Sequence, residues 1–151
     1  MHLSRPDADL FIPDGQSPEV ALARVTHLCV AAHQDDIEIM AHAGIAECYE
    51  DSATKAFGGV VVTNGAGAPR AGAYAGVSDD ALPAIRRAEQ RRAAEIGRYA
   101  IQLQLGHLSN DVKQPGHPDV LADLVSLFAA CTLQVVYLHN LADKHDTHVA
   151  C

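Results

Sequence analysis

Two short stretches of the chain carry side chains whose types and spacing could do chemistry. One is His33-Gln34-Asp35-Asp36, directly behind an apolar run, and the other is His145-Asp146-Thr147-His148 near the C-terminal end. A three-residue step puts His33 and Asp36 on one side of a helical turn, and the same holds for His145 and His148. Catalytic zinc sites take three nitrogen or oxygen ligands from the protein and leave a fourth position for water. His33, Asp36 and one histidine of the second stretch would supply such a set. Asp35 would then stand beside the metal as a free carboxylate, which is what a general base must be. The remaining histidine could steady an oxyanion or protonate a leaving group.

Each stretch also has an ordinary structural reading. Asp35 followed three residues later by Glu38 resembles a capping box for the next helix. Asp143 and Asp146 could cap a helix starting near Thr147, leaving the histidines on the surface. A single H-x-x-H is weak evidence, because short histidine pairs arise by chance. What favours chemistry is that both clusters follow the carboxyl end of an expected strand. Among the other histidines, His42 reads as lying on a helix face, His27 inside a strand, and His107 and His117 in loops. His139 ends the last expected strand and could line the same pocket.

The elements that must position these groups follow from the hydrophobic pattern. Residues 24–32 (RVTHLCVAA), 58–63 (GGVVVT), 101–105 and 134–139 (QVVYLH) read as short strands, the apolar runs being those of buried parallel strands. Helical spacing runs over 37–49, from Ser78 to Gly97 or Arg98, and over 119–130 with Pro118 in the first turn. In the second of these, Ile85, Glu89, Arg92 and Ile96 share a face. In the third, Leu121, Leu124, Val125 and Phe128 form the expected core stripe. Residues 64–76 are rich in glycine and alanine and read as a loop, and the polar segment before Val20 reads as an N-terminal arm. This order predicts an α/β, Rossmann-like three-layer fold with a mostly parallel sheet, whose ligands bind outside the carboxyl ends of the strands where the strand order reverses. If the first and last strands are neighbours there, the two clusters face each other.

Bulk properties narrow the function classes. With 151 residues and 48% hydrophobic content the chain suits one globular domain, an arm of about 1–23 on a core of 24–151. A formal net charge of −8 argues against nucleic acid as a partner and gives no reason to expect anionic membranes. The first ten residues lack a signal-peptide core, and no apolar run approaches membrane-spanning length. The four cysteines are scattered without a C-x-x-C pair, so a reducing, cytoplasmic setting is expected. A receiver-like magnesium pocket would need an aspartate after a middle strand, where Thr63, Asn64, Gly106 and His107 stand instead. NGAG at 64–67 lacks dinucleotide-fingerprint spacing.

The motifs together resemble the LmbE-like, or PIG-L, deacetylase family. AHQDDIE is similar to that family's AHPDDxE signature and HDTH to its H-x-D-H motif. VVVTNGAG resembles its second strand and glycine loop, and IRRAEQRRAAEIG its long helix with an R-x-x-E element. The likeness spans about 26–150. It implies a Rossmann-like fold and zinc-dependent removal of acetyl groups from N-acetylglucosamine conjugates, with a small N-acetylated sugar conjugate as substrate. Zinc is the implied cofactor, with another divalent metal as the alternative. By motif, His33, Asp36 and His148 match zinc ligands, Asp35 the general base and His145 the residue that stabilises the tetrahedral adduct. Arg70 in the glycine loop and Asn140 after the last strand are candidate sugar contacts. Two departures stand out: Gln34 replaces proline, and Thr147 stands where the family has the aspartate that would orient His145, for which Asp143 and Asp146 are candidate substitutes. Family members continue well past the position of Cys151, so the resemblance implies a C-terminally truncated domain. Such a chain would be an active enzyme, an incomplete one that finishes its site in a homo-oligomer, or a catalytically inactive metal- or sugar-binding domain.

Overall fold

The structure is a computed structural model and describes residues 2–151. Among these, five strands form one sheet in the order β1-β4-β3-β2-β5. They are β1 (Asp9–Phe11), β2 (His27–Ala31), β3 (Phe57–Thr63), β4 (Ile101–His107) and β5 (Val135–Tyr137). β2, β3, β4 and β5 run parallel, and β1 closes one edge antiparallel to β4. The chain steps from β2 to β3 to β4 in one direction and then returns to the far side of β2 for β5. The reversal therefore lies between β2 and β5, so the first and last parallel strands are neighbours, which is the condition for the two clusters to face each other.

Helices cover both faces, and the two-residue period of the strands divides the core. Leu28, Val30, Val60, Val62, Leu103 and Leu105 point to one face, where they meet α1 (Pro18–Ala23) and α6 (Pro118–Ala130) through Ala21, Leu22, Val120 and Leu127. Cys29, Ala31, Phe57 and Val61 point to the other face, against α2 (Asp36–Met40), α3 (His42–Glu50) and α4 (Leu82–Ile96). Two short helices complete the set, α5 (Ser109–Val112) and α7 (Asp146–Ala150).

Several local expectations change. The segment before Val20, read as an N-terminal arm, supplies β1 and the start of α1. The helix expected over 37–49 is two helices, broken at Ala41 with φ −112° and ψ 17°. α4 begins at Leu82 after turns anchored on Ser78, whose carbonyl accepts the Leu82 N–H.

The face that α4 buries is Leu82, Arg86, Gln90 and Ala94, not the one carrying Ile85 and Ile96, and Ile96 is 64% exposed. The reason is what α4 covers: the buried amides Gln102 and Gln104 of β4 and the polar turn after β2 demand hydrogen-bonding partners, not methyl groups. α6 is likewise rotated from the apolar stripe. It buries Val120, Asp123 and Leu127, while Leu121 is 56% exposed. Asp123 turns inward because its Oδ2 lies 2.9 Å from Nε2 of His107 and its Oδ1 accepts from the N–H and Oγ of Ser4. His107 is thus the buried last residue of β4, not a loop histidine.

Candidate active site

β2 ends at Ala31, and the next residues build the turn that carries the first cluster. The Ala32 N–H donates to Nε2 of His139, 2.9 Å away, tying the carboxyl end of β2 to the segment that follows β5. The Asp36 carboxylate reaches back to accept the His33 N–H at 2.8 Å. Asp35 occupies the position before α2 with φ 75°, a left-handed conformation that aspartate tolerates better than most residues but that still stores strain. Its side chain makes no cap hydrogen bond, so the capping-box reading does not hold. Glu38, the other half of that box, instead accepts from Gln90 Nε2 at 2.9 Å and from the Tyr99 hydroxyl at 2.8 Å.

The turn is gripped from α4. Arg86, almost fully buried, donates to the Gln34 carbonyl at 2.7 Å and to Oδ2 of Asp35 at 2.9 Å. Its other terminal nitrogen bonds the Tyr74 hydroxyl at 2.9 Å and Oε2 of Glu89 at 3.0 Å, fastening the glycine loop to the same helix. The Asp35 N–H donates to Oε1 of Gln90 at 3.1 Å. Gln34 is 2% exposed, with its amide nitrogen on Oε1 of Gln104 at 3.1 Å. It packs into space that only a glycine at position 65 leaves free: a Cβ there would lie 2.3 Å from Oε1 of Gln34, and Gly65 has φ +73°.

The second cluster sits on α7 and the turn before it. Asp143 organises it, with Oδ1 accepting the His145 N–H at 2.8 Å and Oδ2 lying 3.1 Å from Nδ1 of His148. The carboxylate accepts, so Nδ1 of His148 is the donor in this contact and Nε2 is the ring nitrogen left to face Asp36. That Nε2 is 3.5 Å from Oδ2 of Asp36, and Nδ1 of His33 is 3.4 Å from the same oxygen. The His145 ring stacks on His148 with centroids 4.4 Å apart and meets His33 edge-on at 5.0 Å. Asp143 is therefore the acid that orders this cluster, acting on the backbone of His145 and the ring of His148.

Asp36 is the electrostatic centre. Burial alone would raise its pKa, but the His139 and His33 rings, the His33 N–H and the charge of His148 outweigh burial and hold it well below the usual carboxylate range. Two three-residue groups bring their donor atoms within 4.8 Å of one another: His33, His145 and His148, and Asp36, His139 and His148. Either group could hold a metal ion, and His148 belongs to both; in the second, Nε2 of His139 also receives the Ala32 N–H. Imidazole nitrogens and carboxylate oxygens, with Asp143 behind one of the imidazoles, are donors of the kind zinc takes.

His33, Asp35, Asp36, His145 and His148 all line one pocket of about 340 Å³, together with Arg86 and the loop residues Gly65, Gly67, Ala68 and Pro69. It opens at the carboxyl ends of the strands, on the reversal between β2 and β5. A larger hollow of about 470 Å³ lies at the other end of the sheet, among Arg24, Lys55 and Arg98, and holds no comparable cluster. Arg70 is not among the pocket residues. It folds back to donate to the Ala68 carbonyl at 2.6 Å and pairs with Asp79. Asn140 also lies outside the pocket lining, where its Oδ1 accepts the Ala142 N–H at 2.8 Å. Arg86 and Gln90 were not among the expected site residues. Arg86 was visible as the start of an R-x-x-E spacing, whereas nothing in the sequence marked Gln90.

Compared with curated proteins, the chain finds no match. Compared with protein families, residues 28–151 match PIG-L, described as GlcNAc-PI de-N-acetylase. That match takes in β2 through α7, both clusters and the pocket between them, and on it the chain belongs to the PIG-L family, whose chemistry is amide hydrolysis of the GlcNAc de-N-acetylase type.

Proposed function

We propose that the chain is a zinc-dependent de-N-acetylase that hydrolyses the acetamide of a small N-acetylglucosamine conjugate in the cytoplasm. The observation that carries this reading is the single pocket in which Asp36 faces His33 and His148 while Asp35, the neighbouring carboxylate, is held apart by Arg86. His33, Asp36 and His148 would hold the metal. Bound there, zinc supplies polarisation of the acyl oxygen and a water whose pKa is lowered toward ~7.

The remaining chemistry belongs to the chain's own groups. Asp35 takes the proton of the attacking water and passes it to the departing amine. Its side chain is 63% exposed, so it can reach both water and substrate. Arg86 prevents Asp35 from turning inward to cap α2. His145 donates a hydrogen bond to the oxyanion as the tetrahedral adduct forms. Gly65, Gly67, Ala68 and Pro69 also line the pocket, and the sugar ring rests against them. The four free cysteines support a reducing compartment. Among the described residues no helix is long and apolar enough to cross a membrane.

Metal analysis of the purified protein and amine release from a panel of N-acetylated sugars, soluble and lipid-linked, test the reading together. Stoichiometric zinc with hydrolysis supports it. Zinc without hydrolysis across the panel replaces the enzyme with a metal- or sugar-binding domain, and absence of zinc affinity removes the metal site itself.

A further inference from the structure

Gln90 is 2% exposed and lies one helical turn beyond Arg86 on the inner face of α4. The Gln34 carbonyl and the Asp35 N–H are the two ends of one peptide group. Arg86 holds the oxygen at 2.7 Å and Gln90 holds the N–H at 3.1 Å. A left-handed residue returns to the ordinary region most directly by flipping the peptide before it, which would reverse both groups. Held from both ends, the 34–35 peptide cannot flip without leaving a buried donor and acceptor unmet.

The Gln90 amide is itself fixed in sense. Its nitrogen donates to Oε1 of Glu38 at 2.9 Å and to Oε1 of Gln102 at 3.3 Å, so the oxygen must face Asp35. Glu38 is steadied in turn by the Tyr99 hydroxyl, and the Gln102 amide nitrogen donates to the Leu103 carbonyl at 2.8 Å. The chain of contacts runs from the floor of the sheet to the strained residue at the pocket.

We propose that Gln90 is a positioning residue for Asp35: by accepting the Asp35 N–H inside a buried amide network, it keeps the 34–35 peptide in the orientation that aims the Asp35 carboxylate into the pocket. The catalytic part of this inference rests on Asp35 being the base, as read above; the structural part does not.

Two readouts keep these separate. In wild-type protein the Asp35 amide is expected to be protected from hydrogen exchange, and in Gln90→Met to lose that protection while the β3 amides keep theirs. In the same variant kcat is expected to fall roughly 10- to 100-fold with KM and zinc content unchanged, the scale of a misplaced catalytic group. The exchange Glu38→Gln with Gln90→Glu returns an acceptor to the Asp35 N–H without pairing two carboxylates, and is expected to recover most of the rate. In an Asp35→Asn background Gln90→Met is expected to cost nothing further. An Asp35 amide that is unprotected in wild type, or equally protected in Gln90→Met, overturns the positioning role. So does a Gln90→Met enzyme with full kcat, or one that loses zinc and β3 protection together. An inert wild type with the expected exchange pattern removes the hydrolase reading and leaves the positioning intact.

Discussion

Nδ1 of His148 stands 3.1 Å from Oδ2 of Asp143, five residues earlier in the chain, and this contact turns Nε2 of His148 toward Asp36. Carboxylates placed behind metal-ligating imidazoles fix the tautomer and raise ligand basicity, and losing one costs about 10- to 100-fold in metal affinity. Asp143→Ala is therefore expected to weaken zinc binding by about that factor while the fold persists. Competition with a chromogenic chelator measures it. An unchanged affinity would mean that His148 is not a ligand or that Asp143 does not orient it.

The two histidines of the second cluster are expected to fail differently. Removing one oxyanion donor typically costs ~10²–10³ in turnover. His145→Ala is expected to lose rate on that scale and retain zinc. His148→Ala is expected to lose zinc first. Parallel metal analysis and kinetics on both variants decide it, and full zinc occupancy in His148→Ala would break the ligand assignment.

Asp36 also predicts a pH dependence of stability in the metal-free protein. Its pKa is lower folded than unfolded, where an ordinary aspartate carboxyl titrates near 3.8. The unfolded chain thus binds the proton more readily, and the stabilisation is fully present above the unfolded value and lost as pH falls through the folded one. Asp36→Asn is expected to be less stable than wild type near neutrality, with the difference shrinking only as the pH drops below about 4. Denaturant titrations of both proteins at several pH values test the sign. A difference that grows on acidification would contradict it.

Gly65 supplies a test of the turn that faces the first cluster. An alanine there meets both a φ of +73° and a Cβ placed 2.3 Å from Oε1 of Gln34. Gly65→Ala is expected to cost about 1–3 kcal/mol, the usual range for a residue forced into a sparsely populated backbone region. Adding Gln34→Ala relieves the contact but not the backbone, so part of the loss is expected to remain. Equilibrium unfolding of the single and double variants separates the two contributions.

Much of this protein is legible in its sequence. The alternation of apolar strands with helical periods required a parallel α/β sheet, because a strand buried on both faces reads as a continuous apolar run and its crossover must be a helix. The two histidine–aspartate stretches were identifiable because each follows a strand end, where such sheets bind their ligands. What the sequence could not decide was which side of each helix turns inward. Periodicity ranks faces by apolarity, yet α4 buries Arg86 and Gln90 and α6 buries Asp123, since the surfaces they meet present unpaired peptide groups, amides and an imidazole. The left-handed Asp35 and the Gln90 contact exist only once α4 packs over the turn after β2, and of the two acids offered for His145, Asp143 binds its backbone N–H and the ring of His148 instead. Local sequence determines which groups can do chemistry. Long-range packing determines which lone pairs are already engaged and which stay open to a metal or a substrate.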